Sequence, residues 1–390
     1  MFVSKRVQNM PKYVFSEFQR RKKELQEKGV DVIDLGIGAP DLPTPSFICD
    51  VLTKEVGKPE NHRYSNYSGD LEFREAVAHF YLNHYGVSLD PETEVLTLIG
   101  SKEGIAHLIQ AVINPGDKVI IPDPGYPVYR MGSHIAGAVS VPLTLDAGNG
   151  YRPDYKKLSP RDINDTKLMF LNYPSNPTTA TISTDTFEKA ISFVRENKIM
   201  LAHDAAYDLV TFNGYTSPSV LQVPHAKEYA VEFGSLSKSF NMTGWRIGYV
   251  VGNQDVIGAL KILKSNVDTS QFLPIQKAAA AALRSDFQAV CENNDVFYKR
   301  MKKLHHALNN MGITVEEPKG TIFLWAKVPQ GFTSDTFVEM LLTEAGIMVT
   351  PGTAFGKQGE GYIRISLSVT EKVIDEVIRR LGKLNLRGDS

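Results

Sequence analysis

Between about residue 94 and residue 252, the hydrophobic positions form short continuous runs that alternate with amphipathic segments. The runs are EVLTLIG, KVIIP, AVSVPL, KLMFLNYP, IMLAHD, AVEFGS and GWRIGYVVG. The segment SKEGIAHLIQAVINPG has the apolar spacing of a helix, at Ile105, Leu108, Ile109 and Val112. Continuous apolar strands separated by helices are typical of parallel sheets that are covered on both faces. The pattern therefore predicts an α/β domain with a mostly parallel seven-stranded sheet flanked by helices.

Beyond about residue 285 the pattern changes. Helix patterns in NNDVFYKRMKKLHHALNNMG and TSDTFVEMLLTEAG are mixed with the strand-like segments TVEEP, GTIFLWAKV and GYIRISLS. This order indicates a smaller α+β domain, which the N-terminal arm joins. We predict a large domain over residues 47–285 and a small domain made of residues 1–46 and 286–390.

The composition narrows the possible functions. The 390 residues include 43 basic and 44 acidic side chains, and a net charge of −1 gives no electrostatic reason to expect nucleic acid or an anionic membrane as a partner. The start of the chain lacks the apolar core of a signal peptide, and no segment is long enough to span a membrane. The two cysteines are far apart and have no metal-type spacing. We expect a cytoplasmic protein without a metal site.

Polar residues follow five of the predicted strands. Ligands of an open α/β sheet bind outside the carboxyl ends of its strands, so these residues predict one shared site. They are Ser101 and Lys102 in GSKEG, Tyr126 in DPGYP, Asn176 in NYPSN, Asp204 and Tyr207 in HDAAY, and Lys238 in SLSKS.

One ligand explains these groups together. A helix N-terminus near Gly104, with the hydroxyls of Ser235 and Ser237 and the guanidinium of Arg246, would bind a phosphate. Asp204 can pair with a protonated ring nitrogen, and tyrosine and asparagine side chains can bind a phenolic oxygen or stack on a ring. Lys238, in a cationic and partly desolvated environment, can form a Schiff base with an aldehyde. Phosphate, pyridine nitrogen, phenolic oxygen and aldehyde together describe pyridoxal 5′-phosphate.

Six motifs along nearly the whole chain resemble those of the class I/II aminotransferases of fold type I, in that family's order. They are GSKEG, DPGYPVY, NYPSNPT, HDAAY, SLSKSFNMTGWRIG and YIRIS. The segments RYSNYSGDLEFREAVAHFY and HDAAYDL look similar to the subgroup that contains LL-diaminopimelate aminotransferase and its aspartate aminotransferase-like relatives. The resemblance implies a transaminase that moves an amino group between an L-amino acid and a 2-oxo acid, with glutamate and 2-oxoglutarate as one pair.

The resemblance also implies a role for each site residue. Lys238 would form the Schiff base and move the proton, with Asp204 and Tyr207 as further catalytic residues. Tyr64 would reach the phosphate of a neighbouring subunit, which implies a homodimer. The implied cofactor-binding residues are Ser101, Lys102, Tyr126, Asn176, Asp204, Tyr207, Ser235, Ser237, Lys238, Arg246 and Tyr64. The implied substrate-binding residues are Gly38, Asn176, Arg364 and Lys102, with Arg364 binding the α-carboxylate.

Several alternatives stay open. Aminotransferases that act on aspartate, alanine, aromatic amino acids or methionine share most of these motifs, and a C–S lyase of the same fold would use the same lysine. Lys102 could contact the phosphate, bind a distal substrate carboxylate or be solvated. Thr179 stands where the family usually has the glycine of NPTG, and we expect this difference to change the shape of the loop and to leave the chemistry intact. The segment GIGAPD runs into prolines and lacks a third glycine, so it is no dinucleotide-binding loop.

Overall fold

The computed structural model describes residues 2–10 and 14–384 of the chain. Its strands are β1 (Ile33–Asp34), β2 (Val95–Leu98), β3 (Lys118–Asp123), β4 (Val139–Thr144), β5 (Thr166–Asn172), β6 (Met200–Asp204), β7 (Ala230–Ser235), β8 (Gly248–Gly252), β9 (Phe323–Lys327), β10 (Ile347–Met348), β11 (Thr350–Pro351) and β12 (Tyr362–Ser366).

The helices alternate with the strands in the first two thirds of the chain. They are α1 (Lys5–Gln8), α2 (Val14–Glu27), α3 (Ser46–Val56), α4 (Leu71–Tyr85), α5 (Ser101–Val112), α6 (Val128–Ala136), α7 (Pro160–Ile163), α8 (Thr184–Asn197), α9 (Leu236–Ser239), α10 (Gln254–Val267), α11 (Leu273–Leu283), α12 (Gln288–Asn310), α13 (Ser334–Ala345) and α14 (Glu371–Leu381).

The central sheet has seven strands in the order β2-β8-β7-β6-β5-β3-β4. Strand β8 is antiparallel to both of its neighbours, and the other pairings are parallel. The predicted α/β class with a mostly parallel seven-stranded sheet is therefore confirmed. Helix α5 buries Ile105, Leu108 and Ile109 against this sheet, as the apolar spacing of the sequence indicated.

Both faces of the sheet are buried, and alternate residues of each strand belong to different faces. On the front face, Phe170, Ala202 and Phe233 share an apolar cluster with residues of α5, α6 and α10. On the back face, Leu171 and Leu201 share another cluster with residues of α4, α8 and α11.

The C-terminal part forms a third apolar cluster around α12, α13 and α14. Strands β11, β12 and β9 make an antiparallel sheet, and β1 of the N-terminal arm pairs in parallel with β10. The prediction of a strand at TVEEP is wrong. In the described structure this segment makes one isolated antiparallel bridge, between Val315 and Ala326. The domain boundaries at 46 and 285 stay predictions, and residues 1, 11–13 and 385–390 of the predicted small domain lie outside the described residues.

A loop leads from β1 to α3 across the carboxyl ends of the central strands. Arg300 of α12 is buried and binds Asp41 of this loop through both carboxylate oxygens, at 2.6 and 3.0 Å. Thr44 donates a hydrogen bond to the carbonyl of Asn241 at 2.9 Å, which joins the loop to the segment after α9. Within residues 2–10 and 14–384, no helix is long and apolar enough to cross a membrane.

Candidate active site

A cavity of about 430 Å³ opens at the carboxyl ends of the central strands. Strands β5, β6 and β7 are neighbours, and each ends in a polar residue: Asn172, Asp204 and Ser235. Asn172 lies directly opposite Asp204 in the register, and its side chain donates a hydrogen bond to the carbonyl of Asp204 at 2.7 Å. The parallel sheet thus brings together side chains that are far apart in the sequence.

All but one of the site residues expected from the sequence line this cavity. These are Gly38, Ser101, Lys102, Tyr126, Asn176, Asp204, Tyr207, Ser235, Ser237, Lys238, Arg246 and Arg364. The exception is Tyr64, whose side chain is 91% exposed and does not contribute to the cavity wall of this chain.

Lys238 lies on α9, the short helix that follows β7 and is capped by the side chain of Ser235. Its ammonium donates a hydrogen bond of 2.5 Å to the carbonyl of Gly38. Burial lowers the pKa of Lys238 to about 8, and the positive charges of Arg364 and Arg246 act in the same direction. The uncharged fraction of this amine near neutral pH is therefore much larger than that of an ordinary lysine, and the uncharged form is the one that acts as a nucleophile or general base.

Asp204 is buried in the floor of the cavity. Its Oδ2 accepts a hydrogen bond of 2.7 Å from the hydroxyl of Tyr129, whereas its Oδ1 is buried and has no hydrogen-bond partner within the described part of the chain. Burial raises the pKa of Asp204, and the bond from Tyr129 opposes that effect. A buried carboxylate oxygen without a partner is costly unless a bound group donates to it. A protonated pyridine nitrogen is such a donor, so this residue fits pyridoxal 5′-phosphate.

The groups expected to bind a phosphate surround the start of α5. Gly100 precedes the helix with φ +78°, and a Cβ added there would come within 2.2 Å of the Arg246 guanidinium. The positive φ favours glycine, and the first N–H groups of α5 lie beside the positive charge of Arg246. Ser235 and Ser237 add hydroxyl groups to the same end of the cavity. The cradle fits a phosphate group.

Arg364 on β12 closes the opposite side of the cavity. It donates to Oδ1 of Asn176 at 2.8 Å and to the carbonyl of Gly36 at 2.7 Å. Its guanidinium carbon lies 4.1 Å from the ring centre of Phe323 and 4.9 Å from that of Phe355. Such a fixed, planar cation between aromatic rings is suited to bind a carboxylate with two parallel hydrogen bonds.

The sequence interpretation missed several residues of the site. Tyr129 follows Tyr126 by three positions, so the two tyrosines of GYPVY could have been placed on one side of a turn. Asn172 is the last residue of β5 and lies within the apolar run KLMFLNYP, and the sequence interpretation gave it no role. Further wall residues were assigned no role from the sequence, among them Ile37, Ala39, Ala206, Thr243 and Phe323.

Thr179 lies in the loop after β5 that also carries Asn176. Its backbone has φ +60°, in the left-handed region that favours glycine, and its side chain is buried. The loop is closed by hydrogen bonds of 3.0 Å from Thr179 N to Ser175 O and from Ser175 N to Ala180 O. The threonine therefore occupies a glycine-type conformation at this position, and the backbone carries the strain.

The chain is similar to known proteins along nearly its whole length. The profile of the family Aminotransferase class I and II matches residues 30–381. The chain is 45% identical to the LL-diaminopimelate aminotransferase of Moorella thermoacetica over 98% of both chains. It superposes on the substrate-bound BacF structure from Bacillus subtilis with a TM-score of 0.95 and 37% identity, covering 100% of this chain and 99% of that one. A Thermus thermophilus aspartate aminotransferase double mutant gives a TM-score of 0.91 at 28% identity, covering 98% and 99%. The chain thus belongs to the class I and II aminotransferases, and it is a transaminase that depends on pyridoxal 5′-phosphate.

Proposed function

We propose that this transaminase uses LL-diaminopimelate as its amino donor and 2-oxoglutarate as its acceptor. The observation that supports the donor is the 45% identity with an LL-diaminopimelate aminotransferase over 98% of both chains. This similarity extends along the full length of the chain and is not confined to the six motifs. The acceptor is the usual partner of class I and II aminotransferases.

We assign the proton transfer to Lys238. The bound cofactor supplies an electron sink for the pair that remains when the substrate loses its α-proton. The Lys238 amine takes this proton as a general base and returns it as a general acid. Its pKa of about 8 suits both steps, because the charged and neutral forms coexist near neutral pH.

The other residues bind and orient. Asp204 would hold the proton of the pyridine nitrogen through its unpartnered Oδ1, and Tyr126 would pack on the ring. Asn176 and Tyr207 would contact the phenolic oxygen. Arg364 would bind the substrate α-carboxylate, with the loop at Gly38 beside it. The phosphate would be held by Ser101, Lys102, Ser235, Ser237 and Arg246, while Lys102 could instead bind a distal carboxylate of the substrate.

An absorbance titration tests the donor and the lysine together. The purified, cofactor-loaded protein would receive LL-diaminopimelate, glutamate, aspartate, alanine, methionine or phenylalanine without any oxo acid. We expect LL-diaminopimelate to convert the visible band of the lysine-bound cofactor into the band of its amine form. Conversion by another amino acid alone would replace the donor, and release of pyruvate and ammonia would indicate a C–S lyase. The Lys238→Ala variant is the control and should show no lysine-bound band.

We also propose a homodimer in which Tyr64 reaches the phosphate of the partner's site. Tyr64 is exposed, and the adjacent Ser65 donates a hydrogen bond of 3.3 Å to the carbonyl of Gln271, whose side chain in turn binds the carbonyl of Arg246. The Tyr64 segment thus lies beside the phosphate cradle and points its ring outward. Sedimentation velocity should show a dimer, and Tyr64→Phe should weaken cofactor binding whereas Tyr67→Phe should not. A fully active monomer would contradict this proposal.

We propose the cytoplasm as the location, because Cys49 and Cys291 are both free thiols in the structure. Cell fractionation with an antibody against the protein tests this assignment. Recovery in an oxidising compartment would contradict it.

A further inference from the structure

A group of buried polar side chains lies on the back face of the sheet, behind the active site. Its centre is His203 on β6, the residue directly before Asp204, and its partner is Glu232 on β7. Both side chains are buried, and the His203 Nδ1 lies 2.7 Å from the Glu232 Oε2. None of the roles assigned above to the reaction uses this pair.

The hydrogen bonds around Glu232 favour its ionised form. Glu232 accepts bonds from the hydroxyls of Tyr81 and Ser219 at 2.7 Å each, and from the backbone N–H of Val220 at 2.9 Å. Together with His203 these make four donors, which is the number that an ionised carboxylate can accept. Burial opposes ionisation, but these bonds hold the pKa of Glu232 below its usual range.

The second ring nitrogen of His203 also faces an acceptor. Its Nε2 lies 3.0 Å from the carbonyl oxygen of Tyr173, an atom that can only accept. Both ring nitrogens of His203 thus face acceptors, and with Glu232 ionised an imidazolium is the form that satisfies both contacts. Its contact with Phe187, at 4.6 Å between ring centres, is apolar and supplies no counter-charge.

These bonds join the three strand ends that build the active site. His203 belongs to β6, Glu232 to β7, and Tyr173 follows directly on β5 and begins the loop that carries Asn176. Neighbouring residues of a strand point to opposite faces, so the imidazolium lies behind Asp204 across the backbone. A positive charge on His203 favours the ionised form of Asp204, which is the form that holds a pyridine proton.

We propose that His203 is a positioning residue for the transamination: as an imidazolium held between Glu232 and the Tyr173 carbonyl, it ties the ends of β5, β6 and β7 together and keeps Asp204 ionised. This inference rests on the proposed role of Asp204. The other titratable groups around the pair are Tyr81 and Tyr85 on α4, Tyr249 on β8, and Asp208 after β6. The three tyrosines are neutral at neutral pH, so Asp208 and Glu232 are the acids that face His203 on this side.

The first test is nuclear magnetic resonance of protein labelled with ¹⁵N-histidine, with and without cofactor. The chain has nine histidines, and the signals of His203 are those lost in the His203→Gln variant. We expect both ring nitrogens of His203 to carry protons in the folded protein at neutral pH. An unprotonated nitrogen would overturn the proposal, and this result does not depend on activity or on the role of Asp204.

The second test is the pH profile of kcat in His203→Gln, in which a neutral amide replaces the imidazolium. Loss of the charge should move the acidic limb of kcat to higher pH by roughly one unit, because Asp204 then protonates more easily. KM for the donor should stay close to that of the wild type. His225 pairs with Glu228 at 2.9 Å but is exposed, so His225→Gln is the matched control and should leave the profile unchanged. A purely structural role would lower stability without moving the limb, and an unmoved limb in folded His203→Gln would overturn the proposal.

Discussion

The two faces of the central sheet differ in the hydrogen bonds that their buried acids receive at the same strand ends. On the back face, Glu232 receives four hydrogen bonds and His203 has an acceptor at each nitrogen. On the front face, one residue further along β6, Asp204 receives a bond from Tyr129 and leaves Oδ1 without a partner in the described structure. The difference separates two uses of a buried acid. A carboxylate whose oxygens all have hydrogen-bond partners stabilises the fold, whereas a carboxylate with an unpartnered oxygen faces the place where a ligand binds.

Replacement of the front-face acid should have the largest effect on turnover. In Asp204→Asn the carboxylate that would hold the pyridine proton is lost, and we expect kcat to fall by roughly 100-fold or more. The folded protein without cofactor should be at least as stable as the wild type, because a poorly satisfied buried acid is removed. Steady-state kinetics and urea unfolding of the cofactor-free protein measure the two quantities. A kcat near that of the wild type would exclude the assigned role.

The pH dependence of unfolding sharpens this test. Because the folded-state pKa of Asp204 is raised, ionisation of this group favours the unfolded chain. Stability of the cofactor-free wild type relative to Asp204→Asn should therefore decrease as the pH rises from about 4, the pKa of the unfolded chain, through the folded-state pKa. A difference that is constant with pH would contradict the raised pKa.

Replacement of the back-face acid should act mainly on stability. Glu232→Gln leaves the His203 imidazolium without its counter-charge, and we expect the free energy of unfolding to fall by about 3 kcal/mol. The pKa of Glu232 is lower in the folded than in the unfolded protein, so its ionisation stabilises the fold. The stability lost in Glu232→Gln should therefore be greatest above pH 4.5, the ordinary pKa of the group, and should disappear as the pH falls through the folded-state pKa. Urea unfolding of the cofactor-free protein across this range is the measurement. The exposed Glu228 provides the control, and Glu228→Gln should be neutral.

The smallest expected effect concerns the strained loop on the active-site side. Thr179→Gly removes a β-branched side chain from a left-handed backbone, and we expect the protein to gain about 1 kcal/mol of stability with an unchanged kcat. The adjacent Thr178 is the matched control, because its backbone does not have a positive φ and glycine there should destabilise the fold. A loss of stability in Thr179→Gly would show that the side chain contributes more than the strain costs.

The front face could be predicted from the sequence because its residues lie where apolar strands stop. Asp204 and Lys238 each follow a continuous apolar run, and the parallel sheet brings such positions together. The roles of Arg364 and Tyr64 could be predicted only from the family resemblance. Arg364 lies on a strand with alternating polarity and Tyr64 in a polar loop, and neither pattern indicates that a residue binds a substrate or a partner subunit. The position of Tyr64 in an assembly stays a prediction.

The back face could not be predicted in the same way. His203 and Glu232 are single polar residues within apolar strands, 29 positions apart, and no local pattern indicates that they meet. Their contact depends on the register of β6 against β7, which only the folded sheet determines. The failed strand at TVEEP has a similar cause, because a short β-prone segment pairs only where a neighbouring strand runs alongside it, and Val315 makes one bridge.

The place of β2 at the edge of the sheet has a consequence for synthesis on the ribosome. Strand β2 leads into the phosphate-binding start of α5, yet its partner in the sheet is β8, which follows Arg246 near the far end of the central region. A nascent chain cannot close this edge until Gly252 has left the exit tunnel. The cradle that the start of α5 forms with Arg246 is therefore incomplete until β8, the last of the seven strands to be synthesised, has joined β2 to the sheet.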